Sequence, residues 1–374
     1  MCTVLGQTEI INLGLNHDED TLAPLLSYKG DEQLKVKRIN CGGNHTLMLL
    51  SDGTLLGCGD NSSGQLESNS NKLKLIGWQQ LKVPGKVVDC AACWDSTIIV
   101  TEEGLVYSRG NGMRGELGLG ESCLEVKDDF KMVIDVSNFR NVRLFSSFQN
   151  CILVVDQIDG SSSIVYGWGN NTKCQLFEPK SRRVSNPQVI LENVLISDVS
   201  MGKDWLVLID TNGKIVKFQG NIPVEFANIY DDKWRDRGDL EIRSMWKSIH
   251  IRPRTTSSVY SYGNNIHGQL FPGIGDSAIN ELERFSTGSE HGIIYCKMKG
   301  SNNEVHTVFC WGWGEHGNCG SIEKKRQDQW INDKSNLSSP LNPIVTLTGR
   351  GVHTSIDLYG GCATTWIVSN TPIM

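Results

Sequence analysis

The stretch CGGNHTLMLLSDGTLLGCGDNSSGQL, residues 41 to 66, decides the fold. Two apolar runs, Thr46 to Leu50 and Thr54 to Cys58, flank a turn containing Asp52-Gly53. Asp-Gly between such runs marks a tight β-hairpin, because a type I′ turn needs positive φ at both central residues. The stretch returns as ACWDSTIIVTEEGLVYSRGNGMRGELGLG at 92 to 120 and FQNCILVVDQIDGSSSIVYGWGNNTKCQL at 148 to 176. Looser copies begin at 201, 244 and 288, and a half-copy, YGGCATTWIV, stands at 359 to 368. With Thr46 as marker, the equivalents are Ser96, Cys151, Trp205, Ile249, Gly292 and Thr364, at spacings of 50, 55, 54, 44, 43 and 72 residues.

Hairpin repeats of this length suit propeller blades, which avoid long open sheet edges by arranging short sheets in a ring. The C-terminal half-copy supplies the first half of a blade. The N-terminal TVLGQTEIINLGL, residues 3 to 15, resembles a second half without a first. Joined, they make one blade; with the six complete copies the expectation is an all-β, seven-bladed β-propeller, closed by pairing the N- and C-terminal segments, in a single domain over 1 to 374. The inflated last spacing holds 321 to 345, polar and without a period of 2 or 3.6, which reads as a surface loop insertion.

Lys plus Arg (36) against Asp plus Glu (42) gives a net charge of -6, which argues against a broad nucleic-acid or anionic-membrane footprint. No apolar run reaches the roughly 18 residues of a membrane-spanning helix. The start, MCTVLGQTEI, has neither a basic segment nor an apolar one, so export is not expected and the 12 scattered cysteines read as reduced thiols.

Chemistry motifs dissolve into the repeat. Gly312-Trp313-Gly314-Glu315-His316-Gly317 spells G-x-G-x-x-G, but that fingerprint needs a following helix, and the same turn recurs at Gly167-Trp168-Gly169. Cys90 and Cys93 have the spacing of half a zinc site with no second pair nearby in sequence, so two buried thiols is the better reading. His45 and His291 share one repeat position with Asp95, Asn150 and Asp204, which suits a polar group bonding the local backbone. His267 and His316 lie in turns and need only water. No motif singles out a catalytic trio or carboxylate pair. The expectation is a protein that is not an enzyme, with no cofactor and no metal of its own.

The units GxxH-T-hairpin-GxGxNxxGQLG resemble the repeats of the regulator of chromosome condensation superfamily, whose members form seven-bladed propellers. More narrowly, HDED, YGWGNNTKCQLFEPKSR, MGKDW, GSEHGI, CWGWGEHGNCG and GGCATTWIV resemble the fungal family of alpha-tubulin suppressors, also called killer-toxin-insensitivity proteins. That resemblance implies a cytoplasmic and nuclear propeller. It would form a heterodimer with a small four-cysteine zinc/iron protein of the diphthamide and Elongator pathways. Through that partner it would support diphthamide synthesis on elongation factor 2 and Elongator-dependent modification of the tRNA wobble uridine, its link to Elongator itself being indirect.

In the superfamily's exchange factor for a nuclear small GTPase, the residue before the His/Asp position projects from the face that grips the GTPase. Here that ring reads Asn44, Trp94, Gln149, Lys203, Lys247, Glu290 and Cys362. It holds no Asp and no His, where the exchange factor carries both, so guanine-nucleotide exchange is kept only as an alternative. Trp94, with Trp246 beside Lys247 and Trp205 two residues after Lys203, instead suggests an aromatic and cationic docking surface. Trp168, Trp311, Trp313 and Trp366 fall in strand runs and are expected in blade cores.

Overall fold

The second strand of each repeat is buried almost throughout, and this follows from the packing. A computed structural model describes residues 2–6, 13, 21–29, 34–67, 72–273, 279–298, 304–320, 341–349 and 355–369. Every residue of His45–Leu50, Ser96–Thr101, Asn150–Asp156, Ser248–Pro253 and Thr364–Ser369 is buried. Such strands have a neighbouring blade against each face, so neither face alternates to polar.

The described strands form seven antiparallel sheets, one per blade. The first strand of each blade lines the axis, as Val36–Cys41 and Val87–Ala92 do in blades 1 and 2, and later strands step outward. Blade 7 is the composite one: Ile356–Gly360 and Thr364–Ser369 are continued by Cys2–Gly6 and Thr21–Tyr28, with Cys2 opposite Val368 and Val4 opposite Trp366. The N-terminal contribution thus differs from the expected span of 3 to 15: its second strand begins at Thr21, and most of 7–20 lies outside the described residues. The expected loop at 321 to 345 also ends too late. Asn342–Gly349 is a strand paired with Glu304–Gly312, its Val345 buried; 321–340 lies outside the described residues.

Five sheets have four strands, while those of blades 4 and 5 have three. After the third strand of blade 4, Ile215–Gly220, the chain forms the helix Val224–Lys233, which the hairpin repeat does not predict. Phe226 and Trp234 are fully buried there, among Phe218, Tyr230 and Tyr262.

Side chains on the inner strands tie blades together. Arg38 of blade 1 pairs with Asp89 of blade 2 at 2.7 Å and donates to the Leu144 carbonyl of blade 3 at 2.8 Å. Arg143 of blade 3 donates to the Ile196 carbonyl of blade 4 at 2.7 Å, and Arg243 of blade 5 pairs with Asp198 of blade 4 at 2.8 Å.

Candidate docking face

The turn joining first and second strands is built alike in the blades, which fixes equivalence by backbone geometry. Its first residue donates to the carbonyl of its fourth: Gly42 to His45, Cys93 to Ser96, Gly202 to Trp205, Met245 to Ser248, Gly288 to His291 and Gly361 to Thr364, at 2.8 to 3.1 Å. The third residue accepts from the end of the third strand, as Asp95 does from Asn111 (2.9 Å) and Asp204 from Asn221 (2.8 Å).

This corrects the ring read from the sequence, which mixes two turn positions. The second position holds Gly43, Trp94, Phe148, Lys203, Trp246, Ser289 and Cys362; the third holds Asn44, Asp95, Gln149, Asp204, Lys247, Glu290 and Ala363. Chemical likeness to His45 put Asp95 and Asp204 one residue too far along. The position of His45 belongs to Ser96 and Trp205. Two aspartates therefore stand in the third-position ring, and the argument against exchange activity from their absence falls.

The second positions converge on the axis. Trp94, Phe148 and Trp246, from blades 2, 3 and 5, form a closed aromatic trio with ring centroids 5.1, 5.8 and 5.6 Å apart. Backbone bonds link their turns across blades, Trp94 N–H to Phe148 O (2.7 Å) and Lys203 N–H to Trp246 O (3.0 Å). The Lys203 ammonium lies 4.2 Å from the Phe148 ring centre and 5.6 Å from that of Trp246, within cation–π range. These rings frame a cavity of about 140 Å³, otherwise lined by small groups such as Gly43, Ser147, Ser289 and Cys362. All three residues are half-buried.

Of the residues expected to dock a partner, Trp94, Lys203, Trp246 and Cys362 are thus brought together, with Asn44, Gln149, Lys247 and Glu290 one position outward. Lys247 is exposed, and Glu290 accepts a hydrogen bond from Gln269 Nε2 at 2.9 Å. Trp205 is not part of the face. It is 4% exposed and packs with Ile215, Trp234 and Ile249, because it occupies the inward position that His45 takes in blade 1. Phe148 was missed: its φ of 51° is unusual for a bulky residue, and its signal was its place two residues before Asn150, as Trp94 stands two before Ser96.

Other expectations divide. Trp168, Trp311 and Trp366 are fully buried, and the first two donate to the Glu116 and Gln269 carbonyls of the preceding blade at 2.7 and 2.9 Å. Trp313 is instead a half-exposed surface ring, stacked on His267 at 5.0 Å and donating to Glu315, so His267 has a partner besides water. Strand geometry places Cys90 and Cys93 on opposite faces, in different apolar clusters, and burial pushes both thiols up, that of Cys90 to about 12. His45 and His291 reach past the local backbone to Thr97 and Thr365 of the next blade, at 3.4 and 2.9 Å, and burial drives both down to about 4.

A family model, the regulator of chromosome condensation (RCC1) repeat, matches residues 36–65. The fold is similar to that of yeast RCC1 (Prp20), solved bound to Kap60, with a TM-score of 0.69 at 16% identity over 98% of this chain and 88% of that one. The chain is a seven-bladed β-propeller similar in fold to RCC1. Human WBSCR16 matches it with a TM-score of 0.71 at 15% identity, over 99% of this chain and 100% of that one. Among sequences, an RCC1 repeat-containing protein of Schizosaccharomyces pombe is 26% identical over 87% of this propeller and 91% of its own length. A secretion-regulating guanine nucleotide exchange factor of Bos taurus is 24% identical over 84% of this propeller and 74% of its own length. No helix among the described residues is long and apolar enough to cross a membrane.

Proposed function

We propose that this RCC1-like propeller is a non-catalytic docking module whose partner seats on the turn face over the aromatic trio. The observation that carries the reading is the convergence of Trp94, Phe148 and Trp246 from three blades beside Lys203, at the centre of one face. Interface hot spots have this character: aromatic anchors near the centre of a patch, around a pocket, ringed by polar groups. The resemblance of the repeat strings to the fungal alpha-tubulin suppressor family supplies the partner, a small four-cysteine zinc/iron protein. With it this propeller would serve diphthamide synthesis and Elongator-dependent wobble-uridine modification in cytoplasm and nucleus. Lys203 and Lys247 suit an acidic partner.

Titration of the partner tests this. Trp94→Ala and Trp246→Ala, each verified as folded by circular dichroism, should weaken binding roughly 30-fold, about 2 kcal/mol. Lys247→Glu should mainly slow association and flatten its salt dependence. Folded Trp variants that bind like the parent would overturn the assignment of the face. Failure of any small metal-bearing chain to co-purify would overturn the choice of partner.

A second reading, guanine-nucleotide exchange on a small GTPase, is favoured by Asp95 and Asp204 in the third-position ring. Acceleration of nucleotide release by about tenfold or more at micromolar propeller, about 1.4 kcal/mol off the barrier, would establish it. An unchanged release rate would retire it.

A further inference from the structure

Three blades carry a buried Gln at the same point of the turn after the third strand, and its amide is used the same way each time. Gln65, Gln175 and Gln269 are 0%, 1% and 3% exposed. Each Oε1 accepts from the backbone N–H two residues earlier, at Ser63, Lys173 and His267, over 2.9 to 3.0 Å. Each Nε2 donates to an acceptor beside the docking turns: Asp60 Oδ2 at 2.9 Å, Asn150 Oδ1 at 3.5 Å and Glu290 Oε2 at 2.9 Å. In blade 2 the position is Glu116, 5% exposed. Its Oε2 repeats the first bond, accepting from Arg114 N–H at 2.8 Å. Its other oxygen stands where the repeat places a donor, and among the described residues no side-chain donor reaches it.

We propose that Glu116 is held as a neutral carboxylic acid in mildly acidic solution, its proton taking the place of the Gln amide hydrogens, and that loss of this proton to solvent loosens the turn that presents Trp94. An ionised Glu116 would be a buried acceptor in a donor's place, against Asp95, which follows Trp94 directly. Asp95 in turn feels the charge of Asp60 on blade 1, so ionisation of Glu116 adds a third carboxylate charge near the seam of blades 1 and 2. The backbone N–H groups of Glu116 and Arg114 and the Arg114 charge oppose a rise in the Glu116 pKa, but burial outweighs them. The Arg114 side chain on the same turn has no ion pair among the described residues, and Cys93 is a buried thiol. Trp168 of blade 3 donates only to the Glu116 carbonyl, and Arg183, which packs on this turn, is taken by Glu121. Burial accordingly pushes the Glu116 carboxyl up to about 7, with Asp95 adding to it, and burial followed by Asp60 raises Asp95.

A folded-state carboxyl above its unfolded value stabilises the fold in acid and loses that contribution as pH rises from about 4.5 to 7, with no further change above. Thermal melts of the propeller alone, from pH 5 to 8, should therefore show Glu116→Gln gaining on the parent by several degrees as pH rises and levelling off above about 7. Gln is the residue that three other blades use here, so the variant should fold. Equal differences at pH 5 and pH 8 would overturn the proposal. So would carboxyl carbon-13 titrations of the Glu-labelled parent in which no glutamate titrates above about pH 6.

Discussion

At the scale of single residues, burial sorts side chains of the same type into different tasks. His45 and His291 are neutral spacers: each bridges to a threonine hydroxyl on the next blade and sits near pKa 4 because burial disfavours its charged form. A depressed folded-state value means that the stability they contribute is complete above about pH 6.5 and drains away as pH falls toward 4. Replacing both with Asn should flatten that acid limb of the melting profile, and an unchanged limb would contradict it. Tryptophan divides in the same way. Trp205→Ala should cost about 3 to 5 kcal/mol of stability in denaturant titrations, the range for emptying a buried aromatic site, whereas Trp94→Ala should cost far less and act on binding. From the sequence Trp168, Trp311 and Trp366 were rightly expected in blade cores, but Trp205 was not. Asp95 and Asp204 look like His45 in chemistry, and only the backbone bonds from Asn111 and Asn221 show that they stand one residue earlier. A one-residue slip in a strand exchanges its two faces, which moved Trp205 from core to surface in the reading and hid Phe148.

Among elements, the helix Val224–Lys233 is the departure from the repeat. A bundle of aromatic contacts, Phe218 to Tyr230 at 4.8 Å and Phe226 to Tyr262 at 6.1 Å, fastens it to the third strands of blades 4 and 5. Phe226→Ala should destabilise by about 3 to 5 kcal/mol, and hydrogen exchange should report the loss in blades 4 and 5 before the rest of the ring. Protection lost uniformly would mean that the helix is not a local clasp. It was legible in principle. Phe226, Ile229, Tyr230 and Trp234 recur at helical spacing just after Pro223, in a stretch where the hairpin pattern breaks down. The sheet repeat is the stronger periodic signal along the chain, and this segment is only about ten residues long.

For the molecule as a whole, ring closure was readable because it depends on which half-repeats stand at the two ends, and that is visible in the letters alone. The axial site was not, since it arises where seven turns meet and no local pattern encodes the meeting. Closure rests on blade 7, where Thr364–Ser369 pairs residue by residue with Cys2–Gly6. Removing Tyr359 onward should therefore bare the edge of Cys2–Gly6 and the apolar seam around Val4, Met48 and Trp366, giving a chain that aggregates on gel filtration. A monomer with an unaltered melting temperature would contradict this topology.

The composite blade also orders events during synthesis. Cys2–Gly6 leaves the ribosome before the other described strands, and the strand it must pair with, Thr364–Ser369, emerges after them. Such end-to-end pairing is slow to form, because the entropy of closing so long a loop is lost before any contact is gained. Trp94 and Trp246 belong to blades 2 and 5, so they meet only once the circle has curved back on itself. A nascent or prematurely terminated chain then presents no assembled aromatic socket. The partner would meet a receptor only on finished molecules, so fragments could not compete for it.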